Sequence, residues 1–130
     1  MANRKKEMAD RLKEERKSNA FAKLNNEPSS PRKMRLVADI IRGKEVFQAL
    51  NILKFTRKHA AQPLEKLLRS AIDNWQAKNS GADVAEANLI VKNITVDGGR
   101  TLKRISPAPQ GRAHRIRKRS NHVTITLDKK

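Results

Sequence analysis

The chain has 130 residues, enough for one hydrophobic core and hardly for two. Its 30 Lys and Arg against 13 Asp and Glu give a formal net charge of +17, which makes nucleic acid the first candidate partner. The lack of cysteine excludes disulfides and thiolate metal sites, the first twenty residues lack the pattern of a secretory signal, and no run approaches the roughly 20 apolar residues of a membrane span.

The expectation is therefore a soluble intracellular protein, with the charge unevenly placed. Residues 1–97 hold 20 basic and 12 acidic groups, net +8, whereas residues 98–130 hold 10 and 1, net +9.

Residues 1–19 are a charged extension, dense in both signs, with Met8 and Leu12 its sizeable apolar side chains after Met1. Glu7 and Arg11 have the i,i+4 spacing that supports a helix by a few tenths of a kcal/mol, about 0.2–0.5. The segment reads as a frayed or conditional helix, either a solvated tail or an RNA contact. Ala20 to Leu24 can form a short strand before the turn residues Asn25, Asn26, Glu27 and Pro28.

A helix is expected from Pro31, with Ser30 as its cap and proline at the first helical position, where no hydrogen bond is lost. Met34, Val37, Ala38 and Ile41 fall at i, i+3, i+4, i+7, and Gly43 supplies the stop. Its first turn carries Arg32, Lys33 and Arg35, where the helix dipole favours acids. Such a violation points to function or an outside partner, the alternative being a merely solvated charged turn, and a helix start beside basic side chains suits phosphate. Val46, Ala49, Leu50 and Leu53 mark a second helix from about Glu45. Ala60, Leu64, Leu67, Leu68, Ala71 and Trp75 mark a third between about Arg57 and Lys78, starting late or kinking at Pro63. Trp75, the single Trp, sits on that apolar stripe and reads as core rather than as a base-stacking platform.

After a loop at Asn79, Ser80, Gly81 and Ala82, Ile90, Ile94 and Val96 alternate as a strand does, and so do Val123, Ile125 and Leu127 near the end. Between them, residues 98–121 contain eight Lys or Arg, and no acid occurs between Asp97 and Asp128. If the two strands pair antiparallel, 24 structureless residues would be an improbable connection. Strands that continue outward are the better reading. Pro107, Pro109 and Gly111 then place a turn in the middle, and about twelve residues a side at ~3.3 Å each give an arm of roughly 40 Å. An isolated ribbon is marginal in water, so the arm is expected to order fully only when bound.

The arm's cations, Arg100, Lys103, Arg104, Arg112, Arg115, Arg117, Lys118 and Arg119 together with His114, are candidate phosphate ligands. Binding through them would be steeply salt dependent. The arm has no Phe, Tyr or Trp, so aromatic stacking of splayed bases is not its mode. A basic sorting signal would not need a strand-bracketed Pro and Gly centre.

These residues carry a resemblance. Ser30 to Ala38, then Ile41 to Lys44, with Ala49, Leu50 and Leu53, resemble the first helices of the bacterial large-subunit ribosomal protein twenty-two family. Ser70, Ala71, Ile72 and Asn74 are similar to its third helix. Val96, Asp97, Gly99, Leu102, Lys103, Arg104, Pro107, Gly111 to Ala113, Arg115, Ile116, Lys118, Arg119 and His122 to Thr124 resemble its hairpin and closing strand. The likeness covers roughly residues 20–128. It implies an α+β fold, three helices packed on a small antiparallel sheet with a long protruding β-hairpin arm, as a single RNA-binding domain over 20–130. It further implies a ribosomal, cytoplasmic protein that binds large-subunit ribosomal RNA, supports its assembly, meets neighbouring large-subunit proteins and lines the nascent-peptide exit tunnel. The tunnel-lining tip would be Pro107, Ala108, Pro109, Gln110, Gly111, Arg112 and Ala113. At Ala108 to Gln110 the chain departs from the family, which often carries a cation there.

No cofactor, metal or membrane span is expected, and no enzyme. His59, His114 and His122 are scattered, and neither a carboxylate pair, a phosphate loop nor a nucleophile elbow occurs. A DNA-reading helix-turn-helix is the other rival, but the second helix offers mainly Gln48, Asn51 and Lys54 for base reading.

Overall fold

A computed structural model describes residues 2–80 and 82–129; Gly81, part of the expected 79–82 loop, lies outside the described residues, as do Met1 and Lys130. The elements are α1 (Ala2–Ser18), β1 (Ala20–Glu27), α2 (Pro31–Ile41), α3 (Val46–Phe55), α4 (Ala61–Lys78), β2 (Leu89–Pro107) and β3 (Ala113–Lys129), with a single 3-10 turn at Pro109–Gly111. The strands form one antiparallel sheet in the order β1-β3-β2. Helices α2, α3 and α4 cover one face of it, giving the expected α+β fold with a protruding hairpin.

The core follows from the apolar stripes. Met34, Val37, Ala38 and Ile41 of α2 meet Leu64, Leu68 and Ala71 of α4 and Val123, Ile125 and Leu127 of β3 in one buried cluster. Burying a side chain of this size stabilises the fold by about 1.5–3 kcal/mol. Trp75 is 4% exposed and belongs to the same cluster.

Several local expectations needed correction. The inward residues of β2 are Leu89, Val91, Ile94 and Val96, with Ile90 only half-buried, because a bulge between Val91 and Asn93 resets the alternation at Lys92. β1 runs on through Asn25 and Asn26 to Glu27 instead of turning. A register shift after Leu24 absorbs the left-handed Asn26, φ 56°, a conformation that asparagine tolerates. α4, by contrast, makes the late start that was one of the two expected outcomes: it begins at Ala61, so that Pro63 falls in the first turn, where its missing N–H leaves no bond unmade. Ser30 occupies the cap position of α2, yet its carbonyl rather than its hydroxyl takes the bonds, accepting from the Lys33 and Met34 N–H groups at 3.1 Å each.

α1 is a fourth helix, continuous over 17 residues. All its described side chains are exposed, and Lys13 pairs with Asp10 at 3.7 Å while Glu7 and Arg11 do not pair. Its end is tied down where Lys78 Nζ donates to the carbonyls of Lys17 (3.1 Å) and Asn19 (2.6 Å).

Candidate nucleic-acid interface

β2 and β3 stay paired from the core to the tip. Val96 opposes Val123 inside the domain, and the ladder continues through Leu102–Lys118, Arg104–Ile116 and Ser106–His114 to Pro107–Ala113. The register shifts between Gly98 and Thr101, which leaves Gly99 and Arg100 as a bulge where the ladder departs from the domain. Glycine is required there by close approach. A Cβ on Gly99 would stand 2.7 Å from Ser120 Oγ and 3.2 Å from both the Ser120 carbonyl carbon and His122 Nε2. The Ser120 hydroxyl donates to the Arg100 carbonyl at 2.6 Å, closing the bulge. Beside it, fully buried Asn121 donates from Nδ2 to the Ser29 carbonyl and to Ser29 Oγ, both at 2.8 Å. The root of the arm is thereby fixed to the segment that leads into α2.

Directly opposed residues of an antiparallel pair share a face. One face of the arm thus carries Lys103, Arg115, Arg117 and Arg119, and the other carries Arg104, His114 and Lys118. Every residue from Pro109 to Arg119 is exposed, and among the described residues the side chains of the arm's cations make no hydrogen bond or ion pair except that Arg104 Nη1 donates to the Lys103 carbonyl at 2.9 Å. A sheet that covers a core is charged on one side. This ribbon is charged on both, the pattern of an element surrounded by anions.

The tip is a tight reversal. The Ala108 N–H donates to the Arg112 carbonyl at 2.8 Å, and Gln110 and Gly111 both take left-handed φ values, 61° and 69°. The turn-forming residues expected at Pro107 to Ala113 therefore do form the turn, with Arg112 the one cation on it.

The first turn of α2 splits into two roles. Arg32 and Lys33 are exposed and make no side-chain hydrogen bond or ion pair among the described residues. Arg35 instead donates from Nε and Nη2 to the Val96 carbonyl at 3.2 and 2.9 Å. Arg42, which sequence reasoning passed over, donates to the Ile94 carbonyl at 3.1 Å and pairs with Asp39 at 2.8 Å. Gly43, at φ 72°, and Lys44 continue this line, exchanging backbone bonds with Val91 at 2.9 Å each. β2 is an outer strand, and its otherwise open edge is closed by this arginine-and-turn seam.

Between the root of the arm, the start of α2 and the Lys58–Ala60 turn lies a cleft of about 1090 Å³. Lys33, Lys58, His59, Arg100, Arg117 and Arg119 are among its lining residues, and no acid is. Lys58 and His59 were not expected at the interface; the basic run Arg57–Lys58–His59 was the signal available for them. Far from this cleft, a hydrogen bond from Lys92 holds the Asp128 carboxyl below its ordinary value, with the Lys129 N–H adding to the effect and slight burial opposing it. Among the described residues no group of His, Asp and Glu could hold a metal ion, and no helix is long and apolar enough to cross a membrane.

Comparison with known proteins adds to this geometry. A family model described as Ribosomal protein L22p/L17e matches residues 22–128. A large ribosomal subunit protein uL22 from Flavobacterium psychrophilum is 67% identical over 127 residues, covering 98% of this chain and 93% of the relative. Those from Bacteroides fragilis and Porphyromonas gingivalis are 60% and 59% identical, over 130 and 128 residues, covering 100% and 98% of this chain and 95% of each relative. The family model starts beyond α1, whereas these longer matches extend into it.

Proposed function

The chain belongs to the L22p/L17e family of ribosomal proteins, and from that premise we propose that it is a structural constituent of the large ribosomal subunit that binds large-subunit ribosomal RNA and lines the nascent-peptide exit tunnel with its arm. As a ribosomal protein its place is the cytoplasmic ribosome, and it is not an enzyme. The single observation that carries the RNA reading is the acid-free ribbon with cations on both faces. An element that approached nucleic acid from one side would need only one charged face.

Arg100, Lys103, Arg104, Arg112, His114, Arg115, Arg117, Lys118 and Arg119 contact phosphates along the arm, and Arg32 and Lys33 do so from the domain, with Arg35 holding α2 in place beside them. The globular part anchors the protein on the outside, in contact with neighbouring large-subunit proteins, while the arm runs inward among RNA segments and helps to bring them together during assembly. Pro107 to Ala113 then meet the nascent peptide. With Ala108, Pro109 and Gln110 at the turn, the tip offers the tunnel a largely uncharged surface.

Competition binding tests the RNA reading. Structured large-subunit RNA is expected to outcompete random duplex DNA at equal salt, with a log–log salt slope of about −6 to −7 if all eight arm cations meet phosphates. A preference for the duplex DNA would overturn it. Co-sedimentation with large-subunit particles tests the division of labour. A variant lacking residues 102–116 is expected to dock still, and complete loss of docking would show that the globular part is no independent anchor.

A further inference from the structure

The cleft at the root of the arm differs in kind from the arm itself. Its lining is rich in cations, but it also includes Leu36 and Leu102, 58% and 44% exposed, with Pro28 and Ala60. Two leucines left half in water by folding do nothing for a surface that only tracks phosphates. A volume of about 1090 Å³ reaches the size of pockets that enclose a small ligand, roughly 300–1,000 Å³. A lining that mixes apolar and cationic side chains and holds no acid suits a ligand with a flat face at one end and an anionic group at the other.

We infer that this cleft receives one nucleotide extruded from the RNA stack, its base against Leu36 and Leu102 and its flanking phosphates on Lys33, Lys58 and Arg100. The inference rests on the reading that the chain binds ribosomal RNA and adds a base-recognition site to it. It is compatible with the lack of aromatic residues on the arm, because apolar side chains and guanidinium planes can also cover a base. The occupant is RNA rather than a neighbouring protein's segment because the lining cations stand without a single acid to pair them, and because Arg100 and Arg119 continue directly into the phosphate-binding arm.

The test uses the full chain and three RNA hairpins at roughly 0.15 M salt: one with a single unpaired adenosine, the same with an abasic residue at that position, and one fully paired. The wild-type protein is expected to bind the adenosine bulge about tenfold more tightly than the abasic bulge, near the low end of what one covered base contributes. Replacing both leucines, Leu36→Asn with Leu102→Asn, is expected to bring that ratio to about one with the salt slope unchanged. Both side chains are half exposed, and circular dichroism checks that the fold is kept. Equal affinity of wild-type protein for the adenosine and abasic bulges would overturn the inference while leaving RNA binding intact, as would a preference that survives both substitutions. Failure to bind any of the hairpins more tightly than duplex DNA would remove the RNA reading and the inference with it.

Discussion

Arg35→Met separates holding the fold from holding RNA. Methionine keeps an unbranched stem and removes the guanidinium that donates to the Val96 carbonyl at 3.2 and 2.9 Å. A hydrogen bond with a charged donor contributes about 1.5–3 kcal/mol net. The two N–H groups share one acceptor and the side chain is exposed, so the lower end applies, about 1.5 kcal/mol. At about 4 °C per kcal/mol for a chain of this size, the midpoint should fall by roughly 6 °C. The assay is thermal unfolding followed by helical circular dichroism, run beside Lys33→Met. Lys33 has no side-chain partner among the described residues, so its loss should leave the midpoint within about 1–2 °C and reduce the RNA salt slope by about 0.7–0.9. A midpoint for Arg35→Met within 1 °C of wild type, with a salt slope reduced as for Lys33→Met, would refute this account of Arg35 and make it a phosphate ligand alone.

Gly99→Ala should destabilise by about 1–3 kcal/mol in urea, since the new methyl displaces Ser120 Oγ from Arg100 and presses on the Ser120 backbone; a change under 0.5 kcal/mol would mean that the bulge relaxes freely. In hydrogen exchange on the free protein, amides from Leu102 to Ile116 should exchange faster than those from Ile90 to Val96, although both stretches are paired, and equal protection would count against an arm that orders on binding. The lowered Asp128 carboxyl gives a stabilisation that is full above its ordinary value of 3.8 and lost as the pH falls through the lower folded value. Because the Asp128 and Lys92 side chains are 43% and 56% exposed, screening limits the effect to a few tenths of a kcal/mol, so the stability gap between wild type and Asp128→Asn should be small at pH 6 and close as the pH falls below the lowered folded value. A gap that persisted there would trace to packing.

The sequence reveals what depends on neighbours along the chain. Met34, Val37, Ala38 and Ile41 declare α2 because a helix fixes which residues share a side. The arm declares itself through its missing acids and its central Pro and Gly. What escaped depends on partners far away. The bulge at Lys92 exists only in register with β3, so nothing near Ile90 shows that Leu89 and Val91 point inward. Likewise Arg35 and Arg42 look like any cations on a helix until β2 brings the carbonyls of Val96 and Ile94 within reach, 61 and 52 residues away. Lys58 and His59 line the cleft only because the chain folds that turn against the root of the arm.

The seam that closes the edge of β2 stops at Val96, and β1 stops pairing with β3 at Asn121. Beyond those points both borders of the ribbon are unpaired strand, the geometry through which separate chains join into larger sheets. Charge is what the arm has to keep two copies apart. Added salt therefore acts in two ways at once: it strips RNA from the purified protein, and it shortens the Debye length from about 10 Å at 0.1 M to about 3 Å at 1 M, lowering the mutual repulsion of the arms just when their natural covering is gone. The same screening that frees the protein leaves it prone to self-association, and in the cell the hazard is greatest in the interval between synthesis and the first contact with RNA.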